Sequence, residues 1–263
     1  MIRLCAHLGY QFNEVPFLER FECAAAAGYR AVEFPVPYAY DSGVLADRLA
    51  RFDLSLVQFA APMGDTSQGE KGLGALSGRE TAFRTSLAQA VHYAQALGCR
   101  HIHPMAGVTS ETARLDWSTY VANLRFAVAC LAEQGMTTLV EVMSEGEVPG
   151  YFLSSYERAQ ALFDAVADPH LTLIFDTYHA QALTGDVKGE LMRWAGRIGH
   201  VQVSDFPGRH EPGTGMLDFD ALFAQLEQSG YDGWVGCEYR PETTTQAGLR
   251  YLGKYLTDVR SAS

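Results

Sequence analysis

Most of the features that mark specialised chains are missing here. No run comes near the roughly 18 consecutive apolar residues of a membrane-spanning helix, so no membrane partner is expected. The opening Met1-Ile2-Arg3-Leu4 is strand-like and lacks the basic, long-apolar, small-residue order of a secretion signal, which makes the cytoplasm the expected location. Cysteine is sparse and odd in number: the five residues Cys5, Cys23, Cys99, Cys130 and Cys237 form no C-x-x-C pair and no zinc-ribbon spacing, which argues against a disulfide scaffold. Basic residues are outnumbered, with 20 Lys and Arg against 31 Asp and Glu. The formal net charge of -11 repels phosphate backbones, so nucleic acid is not an expected partner. No G-x-G-x-x-G follows the first strand-like run, and the dinucleotide-binding version of an open α/β sheet therefore has no support.

What is present is an ordinary globular composition, 48% hydrophobic and 19% charged over 263 residues, written as a repeating unit. An Ala/Leu-rich helical stretch, a glycine and a short strand ending in a polar residue recur in order. The glycines are Gly28, Gly98, Gly135 and Gly230, each followed by a strand ending at Glu33, His103, Glu141 or Glu238. Further strand-like runs span Arg3 to His7, Leu54 to Phe59, Leu171 to Asp176 and His200 to Ser204. About eight strands alternating with helices predict a parallel sheet closed into a single (β/α)8 TIM barrel, one domain over residues 1–263. The stretch from Ala61 to Ser77 is glycine-rich and irregular, either a functional lid or merely a mobile insertion, and its position after the third strand puts it on the catalytic rim.

In such a barrel the C-terminal strand ends converge on one mouth. Here they read His7, Glu33, Gln58, His103, Glu141, Asp176, Gln202 and Glu238. The last four close successive strands, and three carboxylates crowded together repel and desolvate one another by several kcal/mol unless a cation joins them. One divalent metal is expected on Glu141, Asp176, Gln202 and Glu238, and an oxygen-rich set of this kind suits Mg²⁺ or Mn²⁺. His101 and His103 lack a third nitrogen ligand and read as packing and rim residues.

The same residues carry a resemblance. Val15-Pro16-Phe17-Leu18-Glu19-Arg20-Phe21, Ala31-Val32-Glu33-Phe34, Gly78-Arg79-Glu80, Gly199-His200-Val201-Gln202, Glu211-Pro212-Gly213-Thr214-Gly215 and Gly233-Trp234-Val235-Gly236-Cys237-Glu238-Tyr239 resemble the hydroxypyruvate isomerase family of xylose-isomerase-like barrels, which includes the 2-oxo-tetronate isomerases. The resemblance extends over nearly the whole chain. It implies that Glu141, Asp176, Gln202 and Glu238 are metal ligands and that Glu141 and Glu238 form the acid/base pair. Asp176-Thr177-Tyr178-His179 is similar to the family's Asp-x-Tyr-His segment, so His179 is expected to hydrogen-bond or polarise a substrate oxygen. Arg209 is expected to clamp a substrate carboxylate, and Glu147, one short loop beyond Glu141, is a weaker candidate for orienting a hydroxyl.

Departures from the family pattern cluster on the substrate side. Glu141-Val142-Met143-Ser144 stands where relatives usually show Glu-Pro-Ile-Asn, and His7 stands at a strand end that usually carries Asn. The lid reads Gly64-Asp65-Thr66-Ser67-Gln68-Gly69-Glu70-Lys71-Gly72, with Lys71 where the usual residue is Arg. A point charge replaces a planar fork there. Glu70, Lys71 and His7 join His179 and Arg209 as expected substrate contacts.

The implied activity is interconversion of a small hydroxy-carbonyl acid through an enediolate, with hydroxypyruvate and 2-hydroxy-3-oxopropanoate as the family default. A 2-oxo-tetronate isomerase and a ketose 3-epimerase are the nearest alternatives. More distant are an apurinic-site nuclease, for which a basic groove is missing, and a non-catalytic sugar-binding barrel. Self-association into a homo-oligomer is left open.

Overall fold

The computed structural model describes residues 2–108 and 115–257. Nine parallel strand segments make the sheet: β1 Arg3–His7, β2 Ala31–Glu33, β3 Ser55–Leu56, β4 Gln58–Ala60, β5 His101–His103, β6 Thr137–Glu141, β7 Leu171–Asp176, β8 Ile198–Val203 and β9 Trp234–Cys237. Their order is β3-β2-β1-β9-β8-β7-β6-β5-β4. The two end segments are separated in the chain by Val57 alone, so β3 pairs with β2, β4 pairs with β5, and the ring closes through one interrupted strand. This is the eight-fold barrel the sequence predicts, with the strand bounds shifted by one to two residues where they differ.

Helices wrap the outside: α1 Arg20–Ala26, α2 Ser42–Arg51, α3 Glu80–Leu97, α4 Trp117–Ala132, α5 Tyr156–Val166, α6 Thr177–Thr184, α7 Val187–Trp194, α8 Phe219–Gln228 and α9 Thr245–Thr257. Acceptor side chains set the starts of α2 and of α4 to α8. Asp116 accepts the Thr119 backbone N–H at 2.7 Å, and Asp218 accepts that of Ala221 at 3.0 Å, each satisfying a donor that the first helical turn leaves without a partner. At the other end of α3, Gly98 adopts φ +66°, the left-handed cap expected of it.

The main core lies between the outer strand faces and the helices, where Phe21, Phe34, Phe59, Phe83, Tyr120 and Trp194 are fully or almost fully buried. The barrel interior differs. A small apolar cluster of Cys5, Ala31 and Val57, backed by Trp234, fills one part of it. The interior side chains nearer the strands' C-terminal ends are polar. Strand alternation sends every second residue inward, and on β8 that alternation is reset by a bulge. Leu173 pairs with Ile198 but Ile174 pairs with His200, so Gly199 is the extra residue. A Cβ on Gly199 would lie 2.1 Å from Thr172 Oγ1, so only glycine fits there. Past the bulge His200 and Gln202 align with Ile174 and Asp176 and share their inward face.

The 61–77 segment is less free than a simple lid. Gly72 bridges to Ala106 and Leu76 to Leu115, and residues 72–76 are buried. Residues 64–69, at its tip, are exposed.

Candidate active site

Glu141 and Asp176 end β6 and β7, Gln202 lies one residue from the end of β8, and Glu238 directly follows β9. Register places Asp176 beside Gln202 and Gln202 beside Gly236, two residues before Glu238. A cavity of about 400 Å³ opens above them, lined on this side by Glu141, Gln202, Glu238, His7, His179 and Arg209. The opposite arc, over β4, β5 and β6, carries Met63, Met105, Met143 and Val148. The cavity is therefore charged on one side and apolar on the other.

Asp176 has two jobs for two oxygens. Its Oδ1 caps α6 by accepting the backbone N–H groups of Tyr178 at 2.6 Å and His179 at 3.0 Å. Its Oδ2 is thereby turned away from the helix, toward Nη2 of Arg209 at 3.5 Å. The same Nη2 donates to Glu238 Oε1 at 2.9 Å, while Nη1 donates to Glu147 Oε2 at 2.8 Å. Arg240 also donates to Glu147, and the Arg209 guanidinium lies between the rings of Tyr10 and Tyr178, 5.5 and 5.4 Å from their centroids. Burial opposes the charge on Arg209, but Glu238 and Asp176 outweigh it and raise its affinity for the proton.

The loop that delivers Arg209 is built around Asp205. Its carboxylate accepts the backbone N–H groups of Phe206, Gly213, Gly215 and Leu217 at 2.8 to 3.1 Å. Arg209 itself sits at φ +54°, a left-handed conformation costing a side-chain-bearing residue about 1–2 kcal/mol. Such strain persists where surrounding contacts over-determine it. The Glu211-to-Gly215 motif thus serves loop folding: a Cβ on Gly215 would lie 2.2 Å from the Phe206 carbonyl oxygen.

Three imidazoles flank the carboxylates. His179 Nε2 is 3.8 Å from Glu141 Oε1, His103 Nδ1 is 3.9 Å from Glu141 Oε2, and His7 Nε2 is 3.8 Å from Glu238 Oε2. Burial holds all three below the usual histidine range, His7 at about 4 and His103 at about 3, so they are neutral at pH 7. The carboxylates move the other way. Burial, then the charges of Glu238 and Asp176, push Glu141 well up. Burial also lifts Glu238, to about 8, although Arg209 pulls against it.

These groups suit a divalent cation. Carboxylate oxygens of Glu141 and Asp176 lie within 4.8 Å of one another, and Asp176 and Glu238 share one Arg209 nitrogen. Gln202 Oε1 is buried with no hydrogen-bond partner among the described residues, while its Nε2 donates to Glu33 Oε1 at 3.1 Å. An acceptor left in that state is costly, about 1–3 kcal/mol, and a cation would relieve it.

All nine predicted site residues can be placed. Glu141, Gln202, Glu238, His7, His179 and Arg209 line the cavity, and Asp176 is reached through Arg209. Lys71, itself exposed, lines it from just beyond the 64–69 tip. Glu70 also borders the cavity, but its carboxylate accepts the Asp65 N–H at 2.6 Å and is paired with Arg79 at 2.5 Å, so it braces the lid. Glu147 binds two arginines rather than facing solvent. Sequence reasoning missed Tyr10, Arg240, Ser144 and the inward role of Glu33 with His200. For Glu33 the signal was present, since it ends a strand on the same mouth; the others lie in loops whose course only the fold reveals.

Comparison with known proteins identifies the family and the fold. The xylose isomerase-like TIM barrel family profile matches residues 21–255. A 2-oxo-tetronate isomerase of Cupriavidus necator is 44% identical over 259 residues, covering 97% of this chain and 99% of that one. The hydroxypyruvate isomerase of Escherichia coli K12 is 41% identical over 257 residues, covering 97% and 100%. A crystal structure described as an AP endonuclease, family 2, from Brucella melitensis superimposes with a TM-score of 0.93 at 43% identity, covering 97% of this chain and 99% of that one.

Proposed function

Since the chain belongs to the xylose isomerase-like TIM barrel family and is an isomerase of the hydroxypyruvate isomerase kind, we propose that it interconverts hydroxypyruvate and 2-hydroxy-3-oxopropanoate by enediolate proton transfer with one divalent metal ion, Mg²⁺ or Mn²⁺. The observation that carries the reading is the pairing of two proton-avid glutamates, the buried Glu141 and the partly buried Glu238, in one cavity with the unpartnered oxygen of Gln202. Asp176 Oδ2, Gln202 Oε1, Glu141 and Glu238 would hold the ion. When bound, it supplies Lewis acidity that makes a proton beside a carbonyl removable and gives the substrate's two oxygens a common anchor.

The chain's own residues supply the rest. One of the two glutamates takes a proton from C3 of hydroxypyruvate, and the other returns one to C2, while the C3 hydroxyl proton passes to the oxygen on C2. His179 presents Nε2–H to a substrate oxygen. Arg209 and Lys71 are the cations available to the substrate carboxylate, Arg209 once it is released from Asp176 and Glu238. His7 lies against Glu238 and borders the same space.

A second reading, a four-carbon 2-oxo-tetronate as substrate, is favoured by the 44% identity to the Cupriavidus necator 2-oxo-tetronate isomerase, and the cavity of about 400 Å³ has room for either acid. Turnover of both acids in deuterated water tests the proposal. Solvent deuterium on the product carbon is expected, and Glu141→Gln and Glu238→Gln should each abolish it. Product free of label would overturn the proton-transfer mechanism, and the ratio of kcat/KM values decides between the two acids.

A further inference from the structure

Beneath the cation site lies a carboxylate to which the mechanism gives no role. Glu33, at the end of β2, is 0% exposed. Its Oε1 accepts Nε2–H of Gln202 at 3.1 Å, and its Oε2 accepts Nε2–H of Gln58 at 3.2 Å and of His200 at 2.5 Å. Both oxygens are therefore engaged by donors of the barrel interior, and the carboxylate also lies near His7 and Glu238.

The neighbouring backbone makes room for this arrangement. A Cβ at Gly236 would stand 2.1 Å from Glu33 Oε1, so the glycine in β9 lets the carboxylate reach across the barrel. The cost of burying an ion here needs a return, and Gln202 offers one. An amide's two ends are almost the same shape but opposite in function: the oxygen can ligate a cation, and the NH₂ repels it. Nothing in the shape of Gln202 selects between the two.

We infer that Glu33 is a positioning residue that locks the Gln202 amide with its oxygen toward the cation and its NH₂ toward the barrel interior. Glu33 faces Gln202 as an acceptor, its two oxygens taking hydrogen bonds from three donors, so a rotated amide would set oxygen against oxygen. His200 and Gln58 keep Glu33 from turning to follow it. The inference rests on the metal reading proposed above.

The test uses Mn²⁺ with the full-length protein and the variants Glu33→Gln and Glu33→Asp. The first removes the charge, and the second keeps it one methylene short of Gln202. Dissociation constants are measured by titration calorimetry, and waters bound to Mn²⁺ are counted by electron–nuclear double resonance in ¹⁷O-water; thermal melts identify folded variants. Both variants should bind Mn²⁺ about 10- to 100-fold more weakly and carry one additional water where the amide oxygen was. Unchanged affinity in either folded variant overturns the inference. So does weaker binding with an unchanged water count, which would mean that charge alone is at work. Should Glu33→Gln not fold, Glu33→Asp decides by the same two readings. Wild-type protein that binds no Mn²⁺ would instead sink the metal reading.

Discussion

Ser144 donates its backbone N–H to Nδ1 of His179 at 3.1 Å, and this single bond fixes which nitrogen carries the proton. A backbone amide can only donate, so Nδ1 must accept and Nε2 must hold the hydrogen of the neutral ring. The Nε2–H then faces Glu141 and the cavity, where it can donate to a substrate oxygen. It leaves His179 unsuited to ligating a metal through Nε2, although it lies within reach of Glu141 and Asp176.

Burial lowers the affinity of His179 for a second proton. At pH 6.5, where a free imidazole is about half protonated, His179 is expected to remain in the Nε2–H form. Long-range ¹H–¹⁵N spectra of histidine-labelled protein read this directly: an Nδ1 shift typical of an acceptor nitrogen, unchanged from pH 8 to 6.5. A fast-exchanging imidazolium signal over that range would contradict it.

Metal uptake should release protons. In the metal-free protein Glu141 and Glu238 are both raised, the latter to about 8, chiefly by burial. Ligation requires the carboxylates deprotonated, so at pH 7 a binding cation must expel the protons they hold. Affinity is therefore expected to strengthen as pH rises through about 8, where Glu238 gives up its proton. Calorimetry in buffers of different ionisation enthalpy counts the protons: at least one per Mn²⁺ at pH 7, fewer at pH 9. A proton count of zero at pH 7 would show that the glutamates are already ionised or are not ligands.

The barrel was legible because its punctuation is local. Gly98 ends α3 as expected, and β1, β2 and β7 have the bounds read from the sequence, since a β-branched run and a helix cap are written in neighbouring residues. The strand-end rule likewise found Glu141, Asp176, Gln202 and Glu238, because a parallel barrel sends every strand terminus to the same mouth. Arrangements that join distant segments were not legible. Arg209 meets Glu147 across 62 positions, and His200 meets Glu33 across 167. The Glu211-to-Gly215 motif was recognisable as a family signature, but that its glycines donate to Asp205 depends on how the loop closes on itself.

Arg209 makes the last prediction. Its guanidinium, 5% exposed, is the cation paired with Glu147, Asp176 and Glu238, and removing one partner of a buried pair costs about 3–5 kcal/mol because the remaining charge is left without compensation. Arg209→Met should accordingly lower the stability of the metal-stripped protein. The loss is partly offset because Glu141 and Glu238 can take up protons in place of the lost charge, so a value at or below the lower end of that range is expected. Saturating Mn²⁺ supplies a positive charge to Asp176 and Glu238 by another route and should shrink the deficit, leaving mainly the loss of the Glu147 contact. Urea unfolding of wild type and variant, each with chelator and with Mn²⁺, yields the four free energies required. If the deficit is the same with and without Mn²⁺, Arg209 and the ion do not serve the same carboxylates.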